Sequence, residues 1–358
     1  MSIICQLCYD NIAMLKESYL YQKLDKKQVK CRTCAHQCLI TPGRRGVCGV
    51  RYNEAGKLYL LTYGQAVAEN FDPIEKKPFF HFLPGSFSLS IGALGCNFRC
   101  ANCQNWDISQ GSKGEVTIEQ IKKVGFKLLP EKIVEDALKY KTPSISYTYT
   151  EPTIFLEYAL DTMKLAKKKG LKNTWVSNGY MSPETLGEIA PYLSAINVDL
   201  KGFTDEFYQK NCGARLQPVL ENLKQIKKLG IWLEVTTLII PTLSDSEKMF
   251  SQIARFIKKE LDAETPWHVS AFSGAISWKL QHLPDTPREK IKTAYEIGKK
   301  AGLKYVYAGN VWQEDLESTY CPKCGKIVIE RIGYQIKRLD KEGKCLKCGE
   351  KIDLILNS

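Results

Sequence analysis

The 358-residue sequence contains no run of about eighteen or more apolar residues, the length that a membrane-spanning helix requires. Met1 to Leu15 lacks the basic segment followed by an apolar segment that marks a secretion signal. No run of basic residues reaches six. These absences predict a cytoplasmic protein that has no membrane partner and no basic nucleic-acid-binding tail.

The formal net charge of +12 makes a nucleic-acid partner worth considering, because a basic surface binds phosphates through counterion release. That value overstates the charge. If three metal sites form, eleven cysteines become thiolates and the holoprotein is roughly 4 to 6 charge units less positive. The lysines are also scattered over predicted helices. A solvated basic surface that attracts an acidic electron-donor protein fits the composition at least as well.

Three cysteines with the spacing C-x3-C-x2-C, namely Cys96, Cys100 and Cys103, follow an apolar strand-like segment from Phe87 to Leu94. Thiolates are soft ligands for iron-sulfur clusters, zinc or Cu(I). Three closely spaced thiols without a nearby fourth fit a site-differentiated 4Fe-4S cluster better than a closed zinc site. The alternative of three incidental cysteines is weak for this spacing at a strand end.

A repeated pattern of helix, glycine and strand follows the triplet. Three helical segments end in Lys-Lys-x-Gly at Gly170, Gly230 and Gly302, which suits a helix C-terminus and its C′ residue. A β-rich run follows each glycine. Strands that alternate with helices predict a parallel α/β sheet, and about seven such strands suit an open or partial barrel.

The triplet, the Gln104-Asn105-Trp106 that follows it and the surrounding α/β pattern resemble the radical S-adenosylmethionine (SAM) superfamily. From about Tyr19 to Val311 the sequence is similar to the radical SAM component of the AmmeMemoRadiSam system and to pyruvate formate-lyase activating enzymes. The resemblance implies a partial (β/α)6-type barrel and a 4Fe-4S cluster whose open iron binds SAM. It also implies reductive cleavage of SAM to a 5′-deoxyadenosyl radical that abstracts hydrogen. The implied partners are ferredoxin or flavodoxin as electron donor, together with AMMECR1-like and Memo-like proteins.

Polar residues at the ends of the predicted strands are the candidates for SAM contacts, because parallel α/β folds place functional residues there. Glu151 occupies the place where relatives hold the SAM amino group, and its alternative role is that of a helix first-turn acid. Ser177 and Asn178 suit ribose or carboxylate contacts. Asp199 and Lys201 resemble the Asp-Leu-Lys of the activating enzymes, and a local ion pair is the simpler alternative.

Three further positions concern substrate and SAM recognition. Cys212 belongs to no metal-spaced group, and we hypothesise that its thiol faces the active site, although most lone cysteines are simply buried. Asn102 stands before the last triplet cysteine, where relatives carry an aromatic residue against adenine. Ala271 stands where the family suggests an arginine. We therefore expect adenine and substrate recognition to differ from those of close relatives.

Two further cysteine groups predict metal sites outside the barrel. Cys31, Cys34, Cys38 and Cys48 lie in a loop too polar to fold by burial, so they predict zinc or a second iron-sulfur cluster. His36 between them is more simply explained by packing than by metal ligation. Two C-x2-C-G knuckles predict a zinc ribbon or a rubredoxin-like site, whose metal loss would unfold the tail without affecting the barrel. The knuckles contain Cys321, Cys324, Cys345 and Cys348.

We therefore expect an N-terminal cysteine-rich region at 1–85, a radical SAM partial barrel at 86–312 and a zinc-ribbon-like tail at 313–358. The pair Cys5 and Cys8 is most simply a stray thiol pair at the terminus. The leading function is that of a radical SAM enzyme, with either a protein or a small molecule as substrate. Two alternatives remain, a zinc-stabilised nucleic-acid-binding or scaffolding protein and a radical SAM enzyme that modifies RNA.

Overall fold

The computed structural model describes residues 14–311 and 314–357, so Cys5 and Cys8 lie outside the described residues. The chain divides into two compact units. The N-terminal unit takes the described part of Met1–Phe71 together with Ser88–Ser194, and the C-terminal unit takes Asp72–Phe87 together with the described part of Ala195–Ser358. No helix within the described ranges is long and apolar enough to cross a membrane.

The strands of the described chain are short. They are β1 (Met14–Glu17), β2 (Tyr21–Lys23), β3 (Val29–Cys31), β4 (Leu39–Ile40), β5 (Arg51–Glu54), β6 (Lys57–Tyr63), β7 (Gln65–Ala66), β8 (Ala68–Pro73), β9 (Phe87–Gly92), β10 (Phe126–Lys127), β11 (Ser144–Tyr147), β12 (Lys172–Ser177), β13 (Ala195–Asp199), β14 (Trp232–Ile239), β15 (Trp267–Ala271), β16 (Val306–Gly309), β17 (Thr319–Tyr320), β18 (Ile327–Ile332), β19 (Gln335–Arg338), β20 (Asp340–Lys341) and β21 (Lys344–Cys345).

Helices alternate with the longer strands. They are α1 (Trp106–Gln110), α2 (Ile118–Lys122), α3 (Pro130–Lys139), α4 (Leu156–Lys168), α5 (Pro183–Ile189), α6 (Asp205–Phe207), α7 (Leu216–Lys228), α8 (Glu247–Phe256), α9 (Arg288–Ala301) and α10 (Glu314–Glu317). Short 3-10 turns lie at Asp25–Lys27, Ile74–Lys76, Pro152–Phe155 and Gly274–Ile276, and π-helical turns lie at Tyr208–Cys212 and Ile257–Leu261.

In the N-terminal unit, β11 pairs in parallel with β9 on one side and with β12 on the other. All four residues of β11 are buried, as expected for a parallel strand covered on both faces. The first cysteine-rich region forms two small antiparallel sheets, β1-β6-β5 and β2-β3-β4. The triplet loop therefore begins where a buried parallel strand, β9, ends.

In the C-terminal unit, β13, β14, β15 and β16 pair in sequence order, all in parallel. Helices α7, α8 and α9 connect these strands, as the alternating pattern predicts. Val198, Val235 and Val269 are among the completely buried residues of this unit. The predicted α/β class with parallel strands is confirmed.

The predicted glycine C-caps are confirmed as well. Gly170, Gly230 and Gly302 have φ angles of 78°, 72° and 94°, in the left-handed region that glycine adopts without strain. The sequence Thr286-Pro287-Arg288 also predicts a helix with Thr286 as its N-cap and proline at N1, but the helix begins at Arg288 with Pro287 as its N-cap. The Thr286 hydroxyl instead donates to the Ile239 carbonyl and accepts from the Phe272 amide, so tertiary contacts replace the local cap.

The C-terminal tail packs against the rest of its own unit, which differs from the expectation of an independent tail. Cys321 and Cys345 share one apolar cluster with Phe80, Tyr305 and Tyr307. About forty residues cannot bury a core of their own, so the ribbon completes its core with aromatic side chains beside and within β16. Metal loss in the tail should therefore affect β16 too.

Candidate metal centre and binding site

The triplet loop is held by its own backbone and by its neighbours. The Phe98 N–H donates to the Cys96 Sγ at 3.4 Å, and the Cys103 N–H donates to the Cys100 carbonyl at 3.1 Å. Cys103 Sγ lies 3.3 Å from the Ser109 hydroxyl of α1. Cys96 and Cys100 are buried, whereas Cys103 is half-buried. The sequence thus folds into a thiol-lined turn at the end of a parallel strand.

The spread of the triplet sulfur atoms distinguishes a cluster from a single ion. Within the described chain, only the four C-terminal thiols form a group of three or more ligands lying within 4.8 Å of one another. Burial, and after it the charge of Glu151, raises the pKa of the Cys96 thiol, so a bound metal is needed to keep this thiolate ionised. The donor set fits a cubane cluster, in which each thiolate binds a different iron.

Glu151 lies at the centre of the hydrogen bonds beside the triplet. Its Oε1 accepts from the Thr153 amide at 3.1 Å, the Thr153 hydroxyl at 2.5 Å and the Ser177 hydroxyl at 2.8 Å. Its Oε2 accepts from the Asn178 amide at 2.8 Å. Burial raises the pKa of Glu151, and these hydrogen bonds oppose that effect. The structure therefore brings Glu151, Ser177 and Asn178 together.

Glu151 also caps the 3-10 turn that precedes α4. That position is close to the alternative considered from sequence, a helix first-turn acid. Capping this turn and binding the SAM amino group are compatible roles. The contact with Asn178 uses one acceptor position of Oε2, and a carboxylate oxygen has two. Tyr149, just before it, has a φ of 72°, a strained conformation of the kind that collects at functional sites.

Two asparagines of the triplet segment link it to the neighbouring strand ends. The Asn178 Nδ2 donates to the Asn97 Oδ1 at 2.7 Å, and the Asn105 Nδ2 donates to the Tyr149 carbonyl at 3.0 Å. Asn97 therefore stands between the Cys96 thiol and the Glu151 hydrogen-bond network. Sequence analysis assigned no contact to either asparagine, because the cysteine spacing does not show which residues next to the cysteines make hydrogen bonds.

Asp199 and Lys201 lie in the C-terminal unit at the end of β13. The Lys201 Nζ lies 2.8 Å from the Asp199 Oδ2, so the ion pair considered from sequence is present. The Lys201 amide donates to the Tyr208 hydroxyl. The side chain of Lys201 is 19% exposed and that of Asp199 is 34% exposed. The pair is therefore accessible to a ligand from solvent.

Cys212 ends the π-helical turn Tyr208–Cys212 and is completely buried. The Asn211 Nδ2 lies 3.7 Å from its Sγ. Gly213 follows with a φ of 68° and reverses the chain. The hypothesis that this thiol acts on substrate stays a prediction, and the thiol needs a local rearrangement to be reached.

The N-terminal cysteine quartet forms a second thiol centre in the N-terminal unit. Cys31, Cys34, Cys38 and Cys48 line one cavity together with His36, Arg51 and Asn97. The His36 Nε2 lies 2.9 Å from the Asn97 carbonyl, and its ring packs 4.9 Å from the Tyr180 ring. These contacts agree with the packing role that sequence analysis favoured for His36.

The C-terminal knuckles form a compact four-thiol group. The Cys321 Sγ lies 3.6 Å from the Cys348 Sγ, and the Cys324 Sγ lies 3.6 Å from the Cys345 Sγ. Thiolates at a zinc-sulfur distance of about 2.3 Å are about 3.8 Å apart in a tetrahedron, so this geometry fits a single metal ion. Gly325 and Gly349 close the two knuckles with φ angles of 70° and 73°.

A basic groove opens beside the triplet loop, with a volume of about 660 Å³. Four of its lining side chains are cationic: Arg44, Arg45, Arg99 and Lys113. The Arg45 guanidinium donates to the carbonyls of Ser112, Gly114 and Val116, and so fixes one wall to the other. The Lys113 Nζ donates to the Phe98 carbonyl at 2.7 Å. Arg44 and Arg99 remain exposed to solvent.

Comparisons with known proteins agree with this geometry. A family model described as the radical SAM superfamily matches residues 91–257. The uncharacterized protein MJ0808 of Methanocaldococcus jannaschii is 45% identical over 345 residues, which cover 96% of this chain and 100% of that protein. The pyruvate formate-lyase-activating enzyme of Clostridium pasteurianum is 25% identical over 209 residues, covering 55% of this chain and 84% of that enzyme.

Two solved structures match parts of the chain. A domain of the pyruvate-formate lyase-activating enzyme from Bacteroides vulgatus has a TM-score of 0.41 and 16% identity, and covers 46% of this chain and 98% of that chain. A crystal structure of Streptococcus suis SuiB bound to precursor peptide SuiA has a TM-score of 0.48 and 12% identity, and covers 66% of this chain and 51% of that chain.

Proposed function

Because the chain belongs to the radical SAM superfamily and is an enzyme related to glycyl-radical activating enzymes, we propose that Cys96, Cys100 and Cys103 hold a site-differentiated 4Fe-4S cluster. When bound, the cluster supplies the electron that cleaves SAM reductively, and the resulting 5′-deoxyadenosyl radical abstracts a hydrogen atom from substrate. The observation that carries the proposal is a thiol triplet beside a buried carboxylate, held by hydrogen bonds from Ser177 and Asn178, at the end of parallel strands.

The residues of this chain would fix the geometry of SAM in the N-terminal unit. Glu151 offers a remaining acceptor position on Oε2 for the SAM ammonium, and its contacts with Ser177 and Asn178 hold the loop after β12 in one conformation. Such a preformed anion lowers the ordering cost of binding a cationic group. In the C-terminal unit, Asp199 and Lys201 remain candidates for polar SAM contacts.

The electron would come from a small acidic protein of the ferredoxin or flavodoxin class. The basic groove supports this partner, because its exposed Arg44 and Arg99 lie on the two loops that carry Cys48 and Cys100. Opposite charges guide such a protein to its docking site. A reducing compartment such as the cytoplasm suits this chemistry, and no disulfide joins the described cysteines.

Two substrate classes fit within the proposal. One is a protein that receives a glycyl radical, in line with the activating-enzyme relatives. The other is a small molecule handled with AMMECR1-like and Memo-like proteins, as the resemblance to the AmmeMemoRadiSam system suggests. Four C-terminal thiols around one point support a zinc ion in the tail. Because the protein is an enzyme, the alternative of a pure binding or scaffolding module is set aside.

The decisive experiment measures 5′-deoxyadenosine. The protein is purified without oxygen, reduced with dithionite and mixed with SAM, and the Cys96→Ala variant is treated in parallel. We expect 5′-deoxyadenosine from the wild type and none from the variant, since two thiolates do not retain the cluster. No product from a wild type that carries zinc and no iron at the triplet would refute the proposal.

A further inference from the structure

The N-terminal quartet is a built thiol centre that the proposed reaction does not use. Cys31, Cys34 and Cys48 are 5%, 8% and 7% exposed, and Cys38 completes the lining of the same cavity. The loop that carries Cys34 is tied down, because the Ala35 amide donates to the Tyr180 carbonyl and the Ser182 amide donates to the Thr33 carbonyl. The four thiols are thus preorganised.

The sulfur atoms of the quartet are too widely spaced for one zinc ion. A tetrahedral zinc site holds its thiolates about 3.8 Å apart, and the C-terminal quartet approaches that spacing at 3.6 Å. No three ligand atoms from the N-terminal quartet and His36 come within 4.8 Å of one another, since the single group of that kind in the described chain is the C-terminal one. Four separated thiolates around a cavity suit a cluster in which each binds a different iron.

Two buried nitrogen donors line the same cavity without a partner. The Arg51 Nε and the Asn97 Nδ2 are buried and have no hydrogen-bond acceptor among the described residues. The remaining Arg51 nitrogens are satisfied by Glu157 and the Ser18 hydroxyl. An unpaired buried donor costs about 1 to 3 kcal/mol, so two in one cavity indicate an acceptor that fills it.

We propose that Cys31, Cys34, Cys38 and Cys48 bind a second 4Fe-4S cluster, with the Arg51 Nε–H and the Asn97 Nδ2–H donating to its sulfur atoms. The cationic guanidinium also offsets the negative charge that four thiolates bring into a buried site. A cluster with a protein thiolate on every iron has no open position for a substrate. Its role is therefore to carry electrons.

The quartet touches the triplet loop directly. The His36 ring bonds the Asn97 carbonyl, and Asn97 is the residue after Cys96. A Cβ on Gly95 would lie 2.9 Å from the Cys48 carbonyl, so the two loops are in contact on both sides of Cys96.

The second cluster exchanges one electron at a time with the cluster at the triplet. A low-potential flavodoxin or ferredoxin supplies that electron, and no bond forms or breaks in the transfer. This last step rests on the proposed function, whereas the cluster itself does not.

The test uses the full chain with the triplet removed, as the variant Cys96→Ala/Cys100→Ala/Cys103→Ala. After anaerobic reconstitution we expect about four irons and four sulfides per chain, and an EPR signal on dithionite reduction that SAM leaves unchanged. Iron near zero with about two zinc ions per chain would overturn the proposal. Cys212→Ala serves as the matched cysteine control and should keep the wild-type metal content.

A second measurement leaves all four quartet thiols in place. In the triplet-removed background, Asn97→Leu deletes one N–H donor and should shift the midpoint potential of the remaining cluster to a lower value, because hydrogen bonds to sulfur raise cluster potentials. Asn105→Leu is the matched control, since its amide donates to the Tyr149 carbonyl and does not line the cavity. Equal potentials in the two variants would refute the donor assignment.

Electron exchange has its own test in the wild-type protein. When both clusters are reduced, we expect EPR lines broader than the sum of the signals from the triplet-removed and quartet-removed variants, because nearby spins couple. A simple sum would refute the exchange. Absence of 5′-deoxyadenosine would refute the proposed function alone and would leave the iron and EPR results for the quartet standing.

Discussion

Glu151 is the residue on which the proposed SAM site depends most. Its carboxylate accepts every hydrogen bond offered by Thr153, Ser177 and the Asn178 amide, and it donates none. Its strand-end position and the resemblance to radical SAM relatives were the sequence signals for this role. The hydrogen-bond partners were beyond prediction, because Ser177 and Asn178 are separated from Glu151 by a whole helix and a strand.

Replacing Glu151 by Gln should weaken SAM binding at least tenfold. The amide places an N–H₂ donor against either the Asn178 amide or the Ser177 hydroxyl, and it removes the negative charge that attracts an ammonium. SAM affinity is measured by equilibrium dialysis on the reconstituted protein. Thr153→Val is the matched control, because it keeps the carboxylate and deletes one donor. Equal loss of SAM affinity in both variants would show that Glu151 only caps the 3-10 turn.

His81 is a buried histidine that must stay neutral. The Asp353 carbonyl accepts from the Nδ1, so the Nε2 of the neutral ring accepts from the Tyr307 hydroxyl, and protonation of the Nε2 would break that hydrogen bond. Burial lowers the pKa of His81 to about 4, with the charges of Arg331 and His268 adding to the effect and Glu234 opposing it. The unfolded chain binds the proton near the ordinary histidine pKa of about 6.5.

Stability should therefore fall as the pH drops through the window between about 6.5 and 4. A base whose pKa is lowered in the folded state contributes its full stability above the unfolded value and loses it on acidification. Between pH 7 and pH 5 the loss from His81 is about 2 kcal/mol. Urea unfolding at the two pH values measures it. His81→Gln should show a smaller decrease, and an identical decrease in the variant would contradict the assignment.

At the scale of elements, the sequence predicted those features that depend on neighbouring residues. The Lys-Lys-x-Gly endings placed Gly170, Gly230 and Gly302 correctly, because a helix C-terminus is a local event. The strand predicted from Phe87 to Leu94 was also right to within two residues, since β9 ends at Gly92. Thr286 was assigned the wrong role, because its hydroxyl bonds to Ile239 and Phe272 and no local rule contains those partners.

The packing of the tail against other segments was not foreseen from the sequence. The two C-x2-C-G knuckles indicate a metal, and their sulfur atoms do come together. Nothing in the tail sequence shows that Phe80, Tyr305 and Tyr307 complete its core, since those side chains lie in other segments. Arg331 illustrates the same point, because its buried guanidinium donates to the Phe80 carbonyl at 2.6 Å.

Removing the tail metal should therefore loosen β16 as well as the knuckles. Without the ion, the two knuckles separate and the apolar cluster around Tyr307 opens to water. Hydrogen exchange read by mass spectrometry, before and after the zinc chelator TPEN, should show lost protection in both 321–352 and 305–309. The variant Cys324→Ser/Cys348→Ser should give the same pattern without a chelator. Loss confined to 321–352 would show that the tail folds alone.

At the scale of the whole molecule, the sequence gives the net charge directly, and the structure shows where the basic residues cluster. The formal net charge of +12 gives no location. The basic groove provides a location, with Arg44 and Arg99 exposed on the loops that carry Cys48 and Cys100. Long-range attraction of this kind acts on association rates and weakens with salt.

Reversing the charge of the groove should slow reduction by a protein donor. In Arg44→Glu/Arg99→Glu, the rate at which reduced flavodoxin bleaches the cluster absorbance should fall at least tenfold at low salt, and the deficit should shrink at high salt. Lys139→Glu, an exposed charge reversal outside the groove lining, should change the rate less than twofold. Iron content and reduction by dithionite verify that the cluster is intact. A rate equal to that of Lys139→Glu would contradict docking at the groove.

The tail packs on Phe80 and His81, which the ribosome makes much earlier, so this part of the core can form only late in synthesis. The His81 ring bonds the Asp353 carbonyl, 272 residues later in the chain, and the Phe80 carbonyl accepts from Arg331, 251 residues later. At about 5 to 20 residues per second, a ribosome needs roughly 15 to 55 seconds to make that stretch. Throughout that interval Phe80 is without the tail residues that cover it, so the nascent chain passes through a long aggregation-prone period in which a chaperone would be most useful.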